Sequence, residues 1–93
     1  MKFMVTFTGE PAEFKAAVSR FLQTGAPPPE GVKMLGRWHG PYTGWVLAET
    51  NDLAKVYEWT ARWSDLLKFA VVPVLEDAEM GQAQQNRLRR GTK

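Results

Sequence analysis

Gly36-Arg37-Trp38-His39-Gly40-Pro41-Tyr42-Thr43-Gly44-Trp45 is a sequence typical of a β-hairpin. Positions 40–44 combine two glycines with a proline, which is the composition of a tight connection between strands. We therefore predict a strand at residues 32–39, a turn, and another strand at residues 45–49. This prediction places His39 and Trp45 together at the mouth of the hairpin.

The segments on either side of the hairpin show two different hydrophobic periods. Near the start of the chain, apolar side chains recur at every second position, which is the period of a strand. The apolar residues that follow recur at helical spacing, and we expect them to be buried: Phe14, Ala17, Val18, Phe21 and Leu22. The predicted strands are residues 2–8, 32–39, 45–49 and 69–75. The first predicted helix runs from Pro11 until Gly25, and the second covers residues 52–63, with Thr50 or Asn51 as its cap. A third helix is predicted from Asp77 onward.

The order β-α-β-β-α-β predicts an α+β fold of the ferredoxin-like class. Such a fold has a four-stranded antiparallel sheet with both crossover helices on one face. The fourth strand lies at an edge, where Pro73 is tolerated because it has no N–H to donate. We expect residues 1–77 to form this domain and residues 78–93 to form a C-terminal helix and a partly flexible basic tail.

The fourth strand also predicts a second copy of the chain. Its sequence, Phe69-Ala70-Val71-Val72-Pro73-Val74-Leu75, is apolar on both sides. A two-layer domain covers one face of its sheet with helices and leaves the other in water. We therefore expect a homodimer in which the second copy covers the open face.

Composition excludes several classes of protein. No cysteine is present among the 93 residues, so the chain has no disulfide, thiolate nucleophile or cysteine-ligated metal. No run approaches the roughly 18 apolar residues of a membrane span, and the first residues lack the pattern of a secretion signal. We expect a cytoplasmic, unprocessed protein without a membrane segment.

The net charge of +2 comes from the C-terminus. Without Arg87, Arg89, Arg90 and Lys93, eight basic residues remain against ten acidic ones. The body of the domain is therefore mildly acidic and lacks the basic surface that follows a phosphate backbone. We do not expect nucleic acid as a partner, and we interpret the tail as a solvated terminus.

Three segments resemble a known family. They are residues 1–6 (Met-Lys-Phe-Met-Val-Thr), residues 25–39 (Gly-Ala-Pro-Pro-Pro-Glu-Gly-Val-Lys-Met-Leu-Gly-Arg-Trp-His) and residues 63–67 (Trp-Ser-Asp-Leu-Leu). Together they resemble domain of unknown function family 3303, over nearly the whole chain up to about Asp77. The resemblance implies a dimeric α/β-barrel, in which two ferredoxin-like sheets pair face to face. That superfamily includes cofactor-free monooxygenases, haem-degrading enzymes, isomerases and proteins without known activity, and no catalytic residue carries over from it.

His39, the single histidine, is the first candidate for chemistry. An imidazole exchanges protons near neutral pH, so it suits a general acid or base, or a haem ligand. The structural alternative is a hydrogen-bonded histidine at a strand end. Ser19 and Ser64 have no nucleophile-elbow context, and neither Glu49 nor Asp52 forms a ligand cluster with His39. We therefore expect no metal and no cofactor.

Aromatic residues around His39 suggest a binding pocket. Trp38, Tyr42 and Trp45 can line a site for a flat or apolar ligand, and Arg37 can pair with a carboxylate. By strand alternation Arg37 and Trp38 point to opposite faces, so at most one of them enters a pocket on a single face. The alternative is that these aromatics pack the hairpin and a dimer contact. Trp59 and Trp63 favour a packing role because they repeat at helical spacing.

Two functions remain open from the sequence. The first is a small homodimeric protein that binds an apolar or aromatic organic molecule in the helix–sheet cleft, with His39 as polar anchor or proton carrier. If it is an enzyme, the superfamily resemblance implies oxidation or isomerisation without a bound metal. The second is a non-enzymatic interaction module. A cavity beside His39 favours the first, and a filled core there favours the second.

Overall fold

The computed structural model of the chain describes residues 1–91. Four strands and three helices follow one another in it: β1 (Lys2–Thr8), α1 (Pro11–Thr24), β2 (Lys33–Gly40), β3 (Thr43–Glu49), α2 (Leu53–Ala61), β4 (Lys68–Val74) and α3 (Asp77–Gly91). The strands form one antiparallel sheet in the order β2-β3-β1-β4. The predicted ferredoxin-like α+β fold is confirmed, and β4, with Pro73, lies at an edge of the sheet.

The hairpin turn is shorter than the sequence predicts. Strands β2 and β3 continue to Gly40 and from Thr43, so that Pro41 and Tyr42 alone connect them. Tyr42 takes a positive φ of 57°, a left-handed conformation that is uncommon outside glycine. Gly44, expected in the turn, instead lies inside β3, where it is buried beneath the ring of Phe7.

Helix boundaries follow local capping chemistry. Helix α1 has Pro11 in its first turn and ends at Gly25, whose left-handed backbone places its N–H on the carbonyl of Phe21 at 2.7 Å. The cap of α2 is Asp52 and not Thr50 or Asn51, because the Asp52 carboxylate accepts a hydrogen bond from the N–H of Ala54 at 3.0 Å. At its other end the helix stops at residue 61, before the predicted residue 63, and Arg62 is its C-terminal cap.

The core lies between α2 and one half of the sheet. Its buried residues come from β1, the residue just before β2, β3 and α2: Phe3, Val5, Val32, Val46, Ala48, Val56 and Trp59. The predicted burial of the α1 stripe is confirmed for Ala17, is only partial for Phe14 and Phe21, and is wrong for Val18 and Leu22. Ala17 is buried, whereas Val18 and Leu22 are exposed, because the helix stands over an open cleft and not over a filled core.

Helix α3 begins at Asp77, as predicted, and extends beyond the sheet. Every side chain described within it, residues 77–89, is exposed. Its start is tied to β1 by Lys2, whose ammonium lies 2.9 Å from Glu76 and 3.5 Å from Glu49. These contacts, the hydrogen bond with Glu76 first, raise the pKa of Lys2. Thr92 and Lys93, the end of the predicted flexible tail, lie outside the described residues, so that tail stays a prediction.

Candidate ligand-binding cleft

A cleft of about 380 Å³ lies between the two crossover helices and the sheet, and it adjoins the core, because Val5, Val46 and Trp59 belong to both. Its walls are mostly apolar and rich in aromatic rings. The lining residues are Val5, Phe7, Phe14, Ala17, Val18, Phe21, Leu22, Ala26, Arg37, His39, Gly40, Val46, Trp59, Thr60, Trp63, Leu67 and Phe69. A volume of this order and a largely apolar wall with few polar groups are typical of small-molecule sites.

Two neighbouring rows of residues across the sheet form the floor of the cleft, and one of them includes Val46 and Val5. The other row is aromatic. Strand register places His39 opposite Gly44, Gly44 opposite Phe7, and Phe7 opposite Phe69. Gly44 has no side chain, so the ring of Phe7 covers it and approaches His39 edge-on, with ring centroids 6.1 Å apart. This row therefore carries aromatic rings from the His39 edge to the Phe69 edge.

The roof of the cleft is α1. The ring of Phe14 stacks on Phe7 with centroids 6.4 Å apart, and the ring of Phe21 lies 5.4 Å from His39. Tyr42 closes the hairpin end, where its ring meets Phe14 edge-on at 5.9 Å. Aromatic rings at these separations attract one another through their quadrupoles as well as by burial.

Arg20 fixes one side of the roof. Its guanidinium donates two hydrogen bonds to Asp65, of 3.0 and 2.7 Å, and a third to the carbonyl of Arg62 at 3.1 Å. The same group lies 5.2 Å from the ring centroid of Trp63, a cation–π distance. The hydrogen bond between the two side chains raises the pKa of Arg20 and lowers the pKa of Asp65. This contact joins α1 to the segment that follows α2.

Arg37 fixes the other side of the roof. It donates hydrogen bonds to the carbonyls of Ala26 at 3.0 Å and Gly25 at 3.2 Å, at the C-terminal end of α1. Its guanidinium carbon lies 4.6 Å from the ring centroid of Phe21. Burial alone lowers the pKa of Arg37, because desolvation disfavours the charged form.

His39 lies at the mouth of the cleft. Its ring contacts Phe7 and Phe21, and the residue as a whole is exposed to solvent. Among residues 1–91 the imidazole has no hydrogen-bond partner. Ser64, considered above as a nucleophile, donates instead to the carbonyl of Ala61 at 3.0 Å. The ring nitrogens of His39 are thus free to bind a ligand.

Trp38 and Trp45 lie on the opposite face of the sheet. They are paired across β2 and β3, and within the described chain neither belongs to the wall of the cleft. The five candidate residues therefore fall into three places. Arg37 and His39 enter the cleft, Tyr42 borders it through Phe14, and the two tryptophans occupy the outer face.

That outer face has two apolar rows that cross all four strands. One row is Gly36, Leu47, Met4 and Val72, and the next is Trp38, Trp45, Thr6 and Ala70. The rings of Trp38 and Trp45 rest against the glycines at positions 36 and 40. Trp38 and Val72 are each 53% exposed, so the patch reaches solvent from one edge strand to the other.

Polar residues border these rows at both ends. Lys33, Glu49 and Lys2 follow one another across the sheet at one end, and Thr43, Thr8 and Lys68 do so at the other. An apolar centre with a polar rim is the usual composition of a protein–protein interface. The outer face is thus chemically distinct from the cleft on the helix side.

Within residues 1–91, no three side chains of histidine, aspartate or glutamate come close enough to hold a metal ion together. No helix of that range combines the length and the apolar character that crossing a membrane requires.

The fold and the cleft together define a ferredoxin-like α+β domain with an aromatic cavity between its helices and its sheet. The chain belongs to the family Domain of unknown function (DUF3303), whose sequence model matches residues 1–88. The family resemblance is confirmed, and it extends past Asp77 into α3. Comparison with curated proteins gives no match, and comparison with solved structures gives none.

Proposed function

We propose that the protein binds a small apolar or aromatic organic molecule in the helix–sheet cleft, with His39 as its polar anchor. The observation that carries the proposal is an aromatic cleft of about 380 Å³ beside an imidazole that has no hydrogen-bond partner among residues 1–91. A cavity beside His39 is the feature that favours ligand binding over a purely structural role.

The shape of the cleft favours a flat ligand. Phe7 forms the floor, while Phe14 and Phe21 lie above it, and rings in such positions can stack on an aromatic guest. The exposure of Val18 and Leu22 at the wall gives a path for entry. If α1 closed over a ligand, these two side chains would be buried. Their removal from water would be favourable in free energy.

Homodimer formation through the outer face is part of the same proposal. Two rows with Trp38 and Trp45 at one end form a contiguous patch with exposed apolar side chains, and such patches mark interaction sites. Face-to-face pairing of two such sheets would give a dimeric α/β-barrel. The cleft of each copy would then remain accessible, because it lies on the other side of the sheet.

A non-enzymatic interaction module is the second candidate. The observation in its favour is the outer face itself, which has the composition of an interface whether or not the cleft binds anything. On this view the cleft is a packing gap beneath α1. The two candidates differ in whether the cleft takes up a guest.

The neutral fluorescent probe N-phenyl-1-naphthylamine tests the proposal. Its emission should rise on binding to the wild-type chain, and His39→Ala should weaken that binding while leaving the dimer intact. Trp38→Ala is the matched control, since the neighbouring residue faces away from the cleft. That variant should keep the probe affinity per chain. Absence of any saturable probe binding to the wild-type protein would favour the interaction module.

A further inference from the structure

We infer that the ligand of this cleft is an aromatic carboxylate, and that Arg37 is the group that binds its carboxyl end. This inference rests on the proposed function and deepens it by naming the chemical class of the ligand. It is carried by the charge of the cleft wall, by the unused donors of Arg37 and by the position of Phe21.

The charge of the wall is unbalanced. Arg37 lines the cleft, whereas no aspartate or glutamate does. Among residues 1–91 no carboxylate lies within ion-pair distance of Arg37, in contrast to Arg20, which has Asp65. A half-buried cation in apolar surroundings without a counterion favours an anionic guest over a neutral one.

The hydrogen bonds of Arg37 leave room for that guest. A guanidinium has five N–H donors, and the bonds to Ala26 and Gly25 use one on Nη1 and one on Nη2. Three donors therefore have no partner within the described chain. The two carbonyls orient the guanidinium but carry only partial charges, so they hold it in place without neutralising it. A carboxylate suits the remaining donors in both charge and geometry.

Phe21 lies next to both Arg37 and His39, the two polar groups at this end of the cleft. Its ring lies 4.6 Å from the guanidinium carbon of Arg37 and 5.4 Å from the ring of His39. Arg37 and His39 are two residues apart on β2, so their side chains leave the same face of the strand. They form a polar end to an otherwise aromatic cleft, where His39 can add a hydrogen bond to the same carboxylate.

A matched pair of ligands tests the inference: 2-naphthoate and its neutral analogue 2-naphthamide, titrated by calorimetry at neutral pH. The wild-type chain should bind the carboxylate roughly tenfold or more tightly than the amide, since hydrogen bonds to charged groups have about that effect. Arg37→Gln should remove most of this preference and leave the amide affinity nearly unchanged.

Arg20→Gln is the control for a structural role of Arg37. It breaks the other attachment of α1 but leaves the charge of the cleft wall as it is, so it should keep the preference for naphthoate. Arg37→Lys is a second variant, which retains the positive charge and should retain part of the preference. Circular dichroism checks that each variant is folded.

The outcomes separate this inference from the proposed function. Equal binding of naphthoate and naphthamide to the wild-type chain would overturn the carboxylate inference alone. This comparison requires no variant. A preference that persists in folded Arg37→Gln would overturn the role of Arg37. Binding of neither compound would overturn the inference and the proposed function together.

Discussion

Trp38 and His39 are consecutive residues of β2 whose side chains lie on opposite faces of the sheet. His39 enters the cleft and meets Phe21, while Trp38 pairs with Trp45 on the outer face. One short stretch of sequence thus contributes to two surfaces with different chemistry. Substitutions at these two neighbouring positions are expected to have separate effects, one on ligand binding and the other on self-association.

The outer face should hold two copies of the chain together. We expect the wild-type protein to sediment as a dimer at micromolar concentration, and Trp38→Glu to shift it to the monomer, because a charge would be buried within the interface. Tyr57→Glu is the control, since Tyr57 is 57% exposed on α2 and lies on the helix side. A wild-type monomer, or equal dissociation of both variants, would contradict dimer formation through this face.

Gly44 should be the glycine of the sheet that least tolerates a side chain. A Cβ at this position would overlap the ring of Phe7, which forms the cleft floor. Gly44→Ala should therefore lower the free energy of unfolding by about 1–3 kcal/mol, as overpacking does. Urea denaturation measures the loss. Gly81→Ala in α3, where no atom lies within 4 Å of the new Cβ, should cause no loss.

The contact between Arg20 and Asp65 should make part of the stability depend on pH. The Arg20 guanidinium lowers the pKa of Asp65 below its ordinary value of 3.8. The folded chain thus holds the ionised carboxylate more readily than the unfolded chain does. This stabilisation is complete above that ordinary value and disappears as pH falls through the lower pKa of the folded state.

Asp65→Asn should therefore be less stable than the wild type at neutral pH and equally stable at a pH well below 3.8, where the wild-type carboxylate is protonated in the folded chain too. Urea unfolding at both pH values measures the difference. Glu30→Gln, at a position that forms no ion pair among residues 1–91, should match the wild type at both. A deficit of Asp65→Asn that persists in acid would show that the carboxylate does not act through its charge.

Local patterns in the sequence were sufficient to predict the element order. Strand alternation, the composition around Pro41 and the helical spacing after Pro11 each depend on neighbouring residues, and each appears in the fold. The observed boundaries of helices and strands differ from the predicted ones where they depend on a single side chain. Asp52, and not an adjacent residue, accepts a hydrogen bond from the N–H of Ala54. Gly44 belongs to β3 and not to the turn, and the ring of Phe7 occupies the position that a side chain would take there.

Local patterns suggested a helix–sheet cleft but left open whether it is a cavity or a filled core. Helical spacing indicates which face of α1 points to the sheet, but it does not give the distance between them. That distance depends on contacts between residues far apart in sequence, such as Arg20 with Asp65, which are 45 positions apart. No local pattern signals such a pair. Alternation did predict that Arg37 and Trp38 point to opposite faces, as they do.

Nuclear magnetic resonance of the tryptophan indoles tests ligand binding in the cleft most directly. Of the four tryptophans in the chain, Trp59 and Trp63 line the cleft and Trp38 and Trp45 lie on the outer face. Titration with 2-naphthol, a neutral aromatic, should shift the indole N–H signals of Trp59 and Trp63 and leave those of Trp38 and Trp45 in place. Shifts confined to Trp38 and Trp45, or no shift at saturating concentration, would contradict a binding site between the helices and the sheet.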